Sequence, residues 1–199
     1  MPNLYSCPSC PEDCDDFAMP AVDFSDCSDA VEEEESEISE LFMSTIQDDG
    51  NGNLSVAGAP GDWTSAGSWA GAISNSGAGA VRHLIGIGDK GAGDQTSRTI
   101  SRGRIKFGEK TFTLNFSIDD VKSVNYDFIR ALECGVDVGF WYQTKGGYLY
   151  GGPTGIKATA QADWILDRGE GTYAVGQITL TWKAPCNPPR IESPIAIAA

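Results

Sequence analysis

Apolar and polar residues alternate most regularly in the second half of the chain. In residues 111–118, Phe112, Leu114, Phe116 and Ile118 fall on one face, and Thr111, Thr113, Asn115 and Ser117 on the other. A period of two sends successive side chains to opposite faces of a sheet, so this stretch predicts a half-buried strand. Residues 156–166 and 173–183 alternate similarly. The Gly-containing link Asp167-Arg168-Gly169-Glu170-Gly171-Thr172 joins them as a large hairpin. Residues 136–143 and 148–150 predict two further strands around a Lys145-Gly146-Gly147 turn.

Just upstream, Arg102, Arg104 and Lys106 alternate with Gly103, Ile105 and Phe107, which predicts a strand carrying one basic stripe. Gly108-Glu109-Lys110 reads as a turn, so residues 97–107 and 111–118 are expected to form a hairpin. The period then changes. Val121, Val124, Phe128, Ile129 and Leu132 recur at helical spacing, with Asp119 or Asp120 as N-terminal cap and Gly135 at the C-terminal cap position. The stripe is expected to face the core.

Earlier in the chain, residues 38–46 predict a first strand, and an apolar run resumes at 81–87. Residues 58–80 are rich in Gly, Ala and Ser and predict a long loop, with Trp63 and Trp69 as anchors. Asp48-Asp49-Gly50-Asn51-Gly52-Asn53 interleaves oxygen ligands with glycine, but the twelfth position from Asp48 is Ala59, where a calcium loop needs Glu; a turn is expected. Residues 185–194 read as an extended, proline-rich tail. The expected fold is mainly β: a β-sandwich or barrel with one flanking α-helix, long hairpins and extended N- and C-terminal arms. Residues 1–35 form an acidic arm containing Cys and Pro, and residues 36–199 a single β-rich domain with a Gly-rich loop at about 50–80.

Charge sharpens this division. The first basic residue is Arg82, and sixteen acidic residues precede it, a charge of −16. From Arg82 onward fourteen basic and twelve acidic residues leave +2. Such asymmetry argues against a nucleic-acid clamp, which needs clustered Lys and Arg to neutralise phosphates. The arm is too charged to build a core, so it is expected to dock on a neighbouring subunit through Phe17, Met19, Val22 and Phe24. No stretch approaches the ~18 apolar residues of a membrane helix, and the N-terminus lacks the basic and apolar regions of a secretory signal. Synthesis in a cytoplasm is expected.

Cys7, Cys10, Cys14 and Cys27 crowd the arm, while Cys134 and Cys186 stand alone. Short thiolate spacing suits zinc, but a second paired CxxC is missing and Glu12, Asp13, Asp15 and Asp16 oppose thiolate formation. Free or packed cysteines are the leading expectation, with zinc and disulfides formed after release from the cell as alternatives. Catalytic groups are sparse. His83 is the single histidine, without a serine or cysteine motif beside it, and reads as structural. Gly86, Gly88, Gly91 and Gly93 lack the Gly-Lys-Ser/Thr ending of a phosphate loop. No enzyme activity, catalytic residue, cofactor or metal is expected.

Taken together, Arg102-Gly-Arg-Ile, Gly108-Glu-Lys-Thr-Phe-Thr-Leu-Asn-Phe-Ser-Ile-Asp-Asp, Tyr126-Asp-Phe-Ile-Arg-Ala-Leu, Phe140-Trp-Tyr-Gln-Thr-Lys-Gly-Gly, Gly151-Gly-Pro-Thr-Gly-Ile-Lys-Ala and Leu180-Thr-Trp-Lys carry a likeness. Over residues 97–195 the chain resembles the tail tube (major tail) proteins of tailed phages, especially those infecting Bacteroidetes-type bacteria. The resemblance implies a β-barrel-like virion subunit that self-assembles into hexameric rings stacked as a hollow tube. It also implies contacts with other tail proteins, assembly in the host cytoplasm and residence in the virion tail. DNA would pass through the lumen during ejection without specific binding, and no membrane is involved.

The alternative is a non-catalytic β-sandwich binding module, glycan-binding or adhesin-like, using Trp63, Trp69, Trp141, Trp164 and Trp182. Trp164 and Trp182 sit in alternating strands and are expected in the core. Trp141 lies between Phe140 and Tyr142, and alternation cannot bury all three on one face, which leaves one for an exposed interface.

Overall fold

The computed structural model describes residues 35–48, 54–77, 79–99, 105–120, 122–166 and 174–196. Its elements are β1 (Ile38–Asp48), β2 (Leu54–Val56), α1 (Ala66–Ala72), β3 (Arg82–Lys90), β4 (Asp94–Thr99), β5 (Ile105–Ile118), α2 (Ser123–Leu132), β6 (Val136–Thr144), β7 (Tyr148–Tyr150), β8 (Ile156–Ile165), β9 (Val175–Ala184) and β10 (Arg190–Glu192). Strands β6, β8, β9, β5, β3 and β1 are hydrogen-bonded in that order, and β1 pairs back onto β6. These six close into an antiparallel barrel. β2, β4, β7 and β10 extend the sheet beyond it.

Closure follows from the alternation. Phe112, Leu114, Phe116 and Ile118 of β5 point inward, as do Ile178, Leu180, Trp182 and Ala184 of β9 and Ile156, Ala158, Ala160 and Ala162 of β8. The small residues of β8 stand opposite large ones, Ala160 against Leu180 and Ala162 against Ile178. A narrow barrel needs such mixed sizes to fill its lumen without overpacking. β3 contributes least bulk. A Cβ on Gly86 or Gly88 would lie 2.8 Å from a Phe116 ring carbon, so both glycines leave the room that ring occupies.

β1 and β6 are buried on both sides. Leu41, Met43, Phe140 and Tyr142 face the barrel interior, whereas Phe42 and Trp141 face outward into a second cluster with Val56, Trp69, Val81 and Leu149. Trp141 is therefore covered, as are Phe140 and Tyr142; the expectation that one of the three is exposed fails because the 54–81 segment adds an outer layer. That segment is also more ordered than a long loop. It contains β2 and α1, and Trp69 of α1 meets Trp141 edge-on at 5.3 Å. Beside the expected flanking helix α2, the described residues thus include a second, short helix.

Three further expectations change. Gly108-Glu109-Lys110 is no turn: β5 runs through it, and its hairpin partner is β4, with Thr99 opposite Ile105. The helix starts at Ser123 with Lys122 at its N-cap, so neither Asp119 nor Asp120 caps it, and Val124 in its first turn is 72% exposed. Ile129 and Leu132 are buried as expected. Gly135 ends the helix at φ 75°, its N–H donating to Leu132 O at 3.0 Å, a conformation that favours glycine. Residues 1–34 of the predicted 1–35 arm, residues 49–53 of the predicted 48–53 turn and the 167–172 link lie outside the described residues.

Candidate functional site

The β4–β5 hairpin is the feature that stands apart from the barrel. Residues 110–118 of β5 pair with β9, but the part before Lys110 pairs only with β4 among the described residues. All six residues of β4 are exposed, and Phe107 opposite Ser97 is 62% exposed. The far edge of β4 carries no strand among the described residues. A two-stranded ribbon without a packed face is marginal in water and presents unpaired backbone groups. Gln95 Nε2 donates to Gly108 O at 2.8 Å, one of the few side-chain bonds that ties the two strands.

Register sets Arg98 opposite Lys106 and Gln95 opposite Lys110. Like charges at directly opposed register positions are unfavourable for a strand pair. Of the expected basic stripe, Lys106 lies on β5, while Arg102 and Arg104 lie outside the described residues. Arg98 on β4, which the sequence reading missed, continues the cationic character across the pair. Its signal was weak because no alternation surrounds it.

A second exposed surface lies on the outer face of β3, where Ile85 and Ile87 are 56% and 63% exposed. His83 stands on the same face, parallel to the Phe42 ring at 4.7 Å. Its Nε2 is 2.9 Å from Glu40 Oε2, and the Glu40 side chain is 1% exposed. Glu40 reaches this position beside a bulge in β1 between Ile38 and Glu40. The pair is a carboxylate–imidazole contact set into packed aromatic surroundings.

Of the five tryptophans, Trp69, Trp141 and Trp182 are buried, and Trp63 and Trp164 are half-buried. Trp141 Nε1 donates to Gly152 O at 2.8 Å, and Trp164 meets Tyr126 edge-on at 5.4 Å. The expectation of Trp182 in the core holds; Trp164 only borders it. No flat aromatic platform emerges from these rings. Among the described residues, no three His, Cys, Asp or Glu gather as a metal site, and no helix is long and apolar enough to cross a membrane.

The cysteines divide. Cys134 is free and exposed, whereas Cys186 is disulfide-bonded. The leading expectation of free or packed thiols therefore fails at Cys186. Compared with protein-family models, curated proteins and solved structures, the chain finds no match in any of the three.

Proposed function

We propose that the protein is a structural subunit that self-assembles edge to edge into stacked rings, forming a phage tail tube for genome passage. The observation that carries this reading is the β4–β5 hairpin, which leaves a closed barrel with an exposed edge, a cationic register pair and an exposed Phe107. A closed barrel has no edge of its own to offer a neighbour, so an added ribbon is the natural joint. Ring formation needs heterologous, complementary patches. The cationic ribbon and the acid-rich first part of the chain supply two of opposite sign.

On this reading the partners are further copies of the chain and other tail proteins, in the virion. A net charge of −14 favours a bore that repels DNA phosphates. Negative-stain microscopy of the purified protein at high concentration tests the proposal: rings or tubes are the expected result, and a strictly monomeric protein at every concentration overturns it. The subunit is also expected to show no measurable affinity for double-stranded DNA near physiological salt. Micromolar binding would overturn the repulsive-bore mechanism while leaving the tube architecture standing.

A further inference from the structure

At the end of the barrel away from the β4–β5 hairpin, α2 covers one side of the mouth. It joins β5 to β6 and packs against β8 and β9, the strands that lie between those two in the barrel. Round the other way, under β1 and β3, the mouth contains a cavity of about 360 Å³. Its floor is barrel core: Met43, Leu132 and Val138 are buried members of the inner cluster. Phe128 and Ala131 share a helix face with Leu132 by their i, i+3, i+4 spacing and form the wall. The size falls within the ~300–1,000 Å³ of small-molecule sites, which are mostly apolar with a few placed polar groups.

The placed polar group is Arg82. Alternation in β3 turns His83, Ile85 and Ile87 outward, so Arg82 shares the inner face with Leu84, Gly86 and Gly88. It stands opposite Met43 and lines the cavity, half-buried. Its Nη1 donates to Ser74 O, and no carboxylate of the described residues pairs with it. A guanidinium carries five N–H donors in a planar fork that matches a carboxylate, so donors remain for an anion. Two other polar side chains on the rim are engaged elsewhere. Ser44 Oγ donates to Ala80 O at 3.1 Å, and Asp137 Oδ1 accepts from Thr159 Oγ1 at 3.1 Å.

We infer that this side of the barrel mouth is a binding site for a medium-chain fatty acid, its hydrocarbon against Met43, Phe128 and Leu132 and its carboxylate on Arg82. The ligand class follows from the lining. An apolar floor favours hydrocarbon, and a cation at the rim favours an anionic head that stays close to water and so keeps much of its solvation. The arginine selects a carboxylate over a neutral head group of the same chain length. The site does not depend on the tube reading and stands or falls without it.

The test uses the full-length chain with octanoate as probe, below its micelle-forming concentration, and octanol as the neutral control. Calorimetry is expected to show saturable one-to-one binding of octanoate, with affinity rising about fourfold per methylene from hexanoate to decanoate. Octanol should bind about tenfold more weakly or worse. The chain has three methionines, and the Met43 methyl signal, assigned with Met43→Leu, should shift as octanoate is added. Arg82→Gln keeps a donor for Ser74 O and should weaken octanoate about tenfold or more while leaving octanol unchanged. Ala131→Phe, made at an exposed helix position on the cavity wall, should remove binding of both probes. Thermal melts establish that each variant is folded, and either variant alone suffices for the test. No saturable octanoate binding, binding that leaves the Met43 methyl unmoved, octanol as tight as octanoate, or octanoate affinity unchanged in a folded variant would each overturn the inference.

Discussion

His83 Nε2 lies 2.9 Å from Oε2 of Glu40, a carboxylate with 1% of its side chain exposed. The residues are 43 positions apart in sequence and meet because β1 and β3 are paired, with Phe42 opposite His83. A buried carboxylate deprived of a hydrogen-bond partner loses solvation it cannot regain. His83→Ala is therefore expected to lower stability by about 1–3 kcal/mol, measured by chemical denaturation. His83→Gln keeps a donor and should recover part of the loss. A difference below ~0.5 kcal/mol between His83→Ala and the parent protein would show the contact to be incidental.

Gly88 and Phe116 make the second prediction. A Cβ at Gly88 would lie 2.8 Å from Phe116 Cδ2, and Phe116 is fully buried in the barrel. Gly88→Val should overpack the site and cost about 1–3 kcal/mol. Phe116→Leu alone creates a smaller side chain and some void, but combined with Gly88→Val it should cost less than the sum of the two single changes. Strict additivity in thermal or denaturant melts would mean that the two positions do not share space.

Two exposed carboxylates give a pH prediction. Asp62 accepts hydrogen bonds from the Thr64 hydroxyl and, next, the Thr64 N–H, which hold its carboxyl below the ordinary range. The Lys122 ammonium and then the Lys122 N–H act in the same direction on Asp120. Each folded value lies below the unfolded one, so the stabilisation is complete above the unfolded value of ~3.9 and is lost as pH falls through the folded value. Carboxyl NMR titration is expected to place both midpoints below ~3.9. Thr64→Val should move Asp62 upward and leave Asp120 where it was; equal movement of both would contradict the local cause.

The alternation of Phe112, Leu114, Phe116 and Ile118 was legible because β5 has one buried and one polar face along that stretch. Trp141 was not, since its burial depends on Trp69 and Val56 arriving from a distant segment. That segment also concealed α1: Ala66–Ala72 consists of Ala, Gly, Ser and one Trp, a composition that reads as loop and gains its helix from packing Trp69. The glycines of β3 resembled a loop signal and proved to be space left for Phe116. In the candidate site, the basic residues around position 104 were visible as a stripe. Their hairpin partner was misassigned because Gly108-Glu109-Lys110 has turn composition but continues β5 along β4, with β9 joining on the other side only from Lys110 onward.

The last prediction separates assembly from folding at the β4–β5 hairpin. Phe107 is 62% exposed, and Arg98 lies on a strand with every residue exposed, so neither contributes much to the barrel core. Phe107→Ser and Arg98→Glu should therefore leave the melting transition nearly unchanged, with shifts within the ~0.5 kcal/mol typical of surface positions. If the hairpin joins subunits, both changes should reduce assembly, for different reasons that salt can distinguish. Exposed ion pairs are worth ~0–1 kcal/mol each and are screened as ionic strength rises, whereas apolar burial is not. Light scattering across a salt series should show parent assembly weakening with salt, Arg98→Glu weak already at low salt and less sensitive thereafter, and Phe107→Ser weak throughout with the parent's salt slope. Variants that assemble like the parent at all salt concentrations would remove the hairpin from the interface, because each retains the fold and changes only the surface offered to a neighbour.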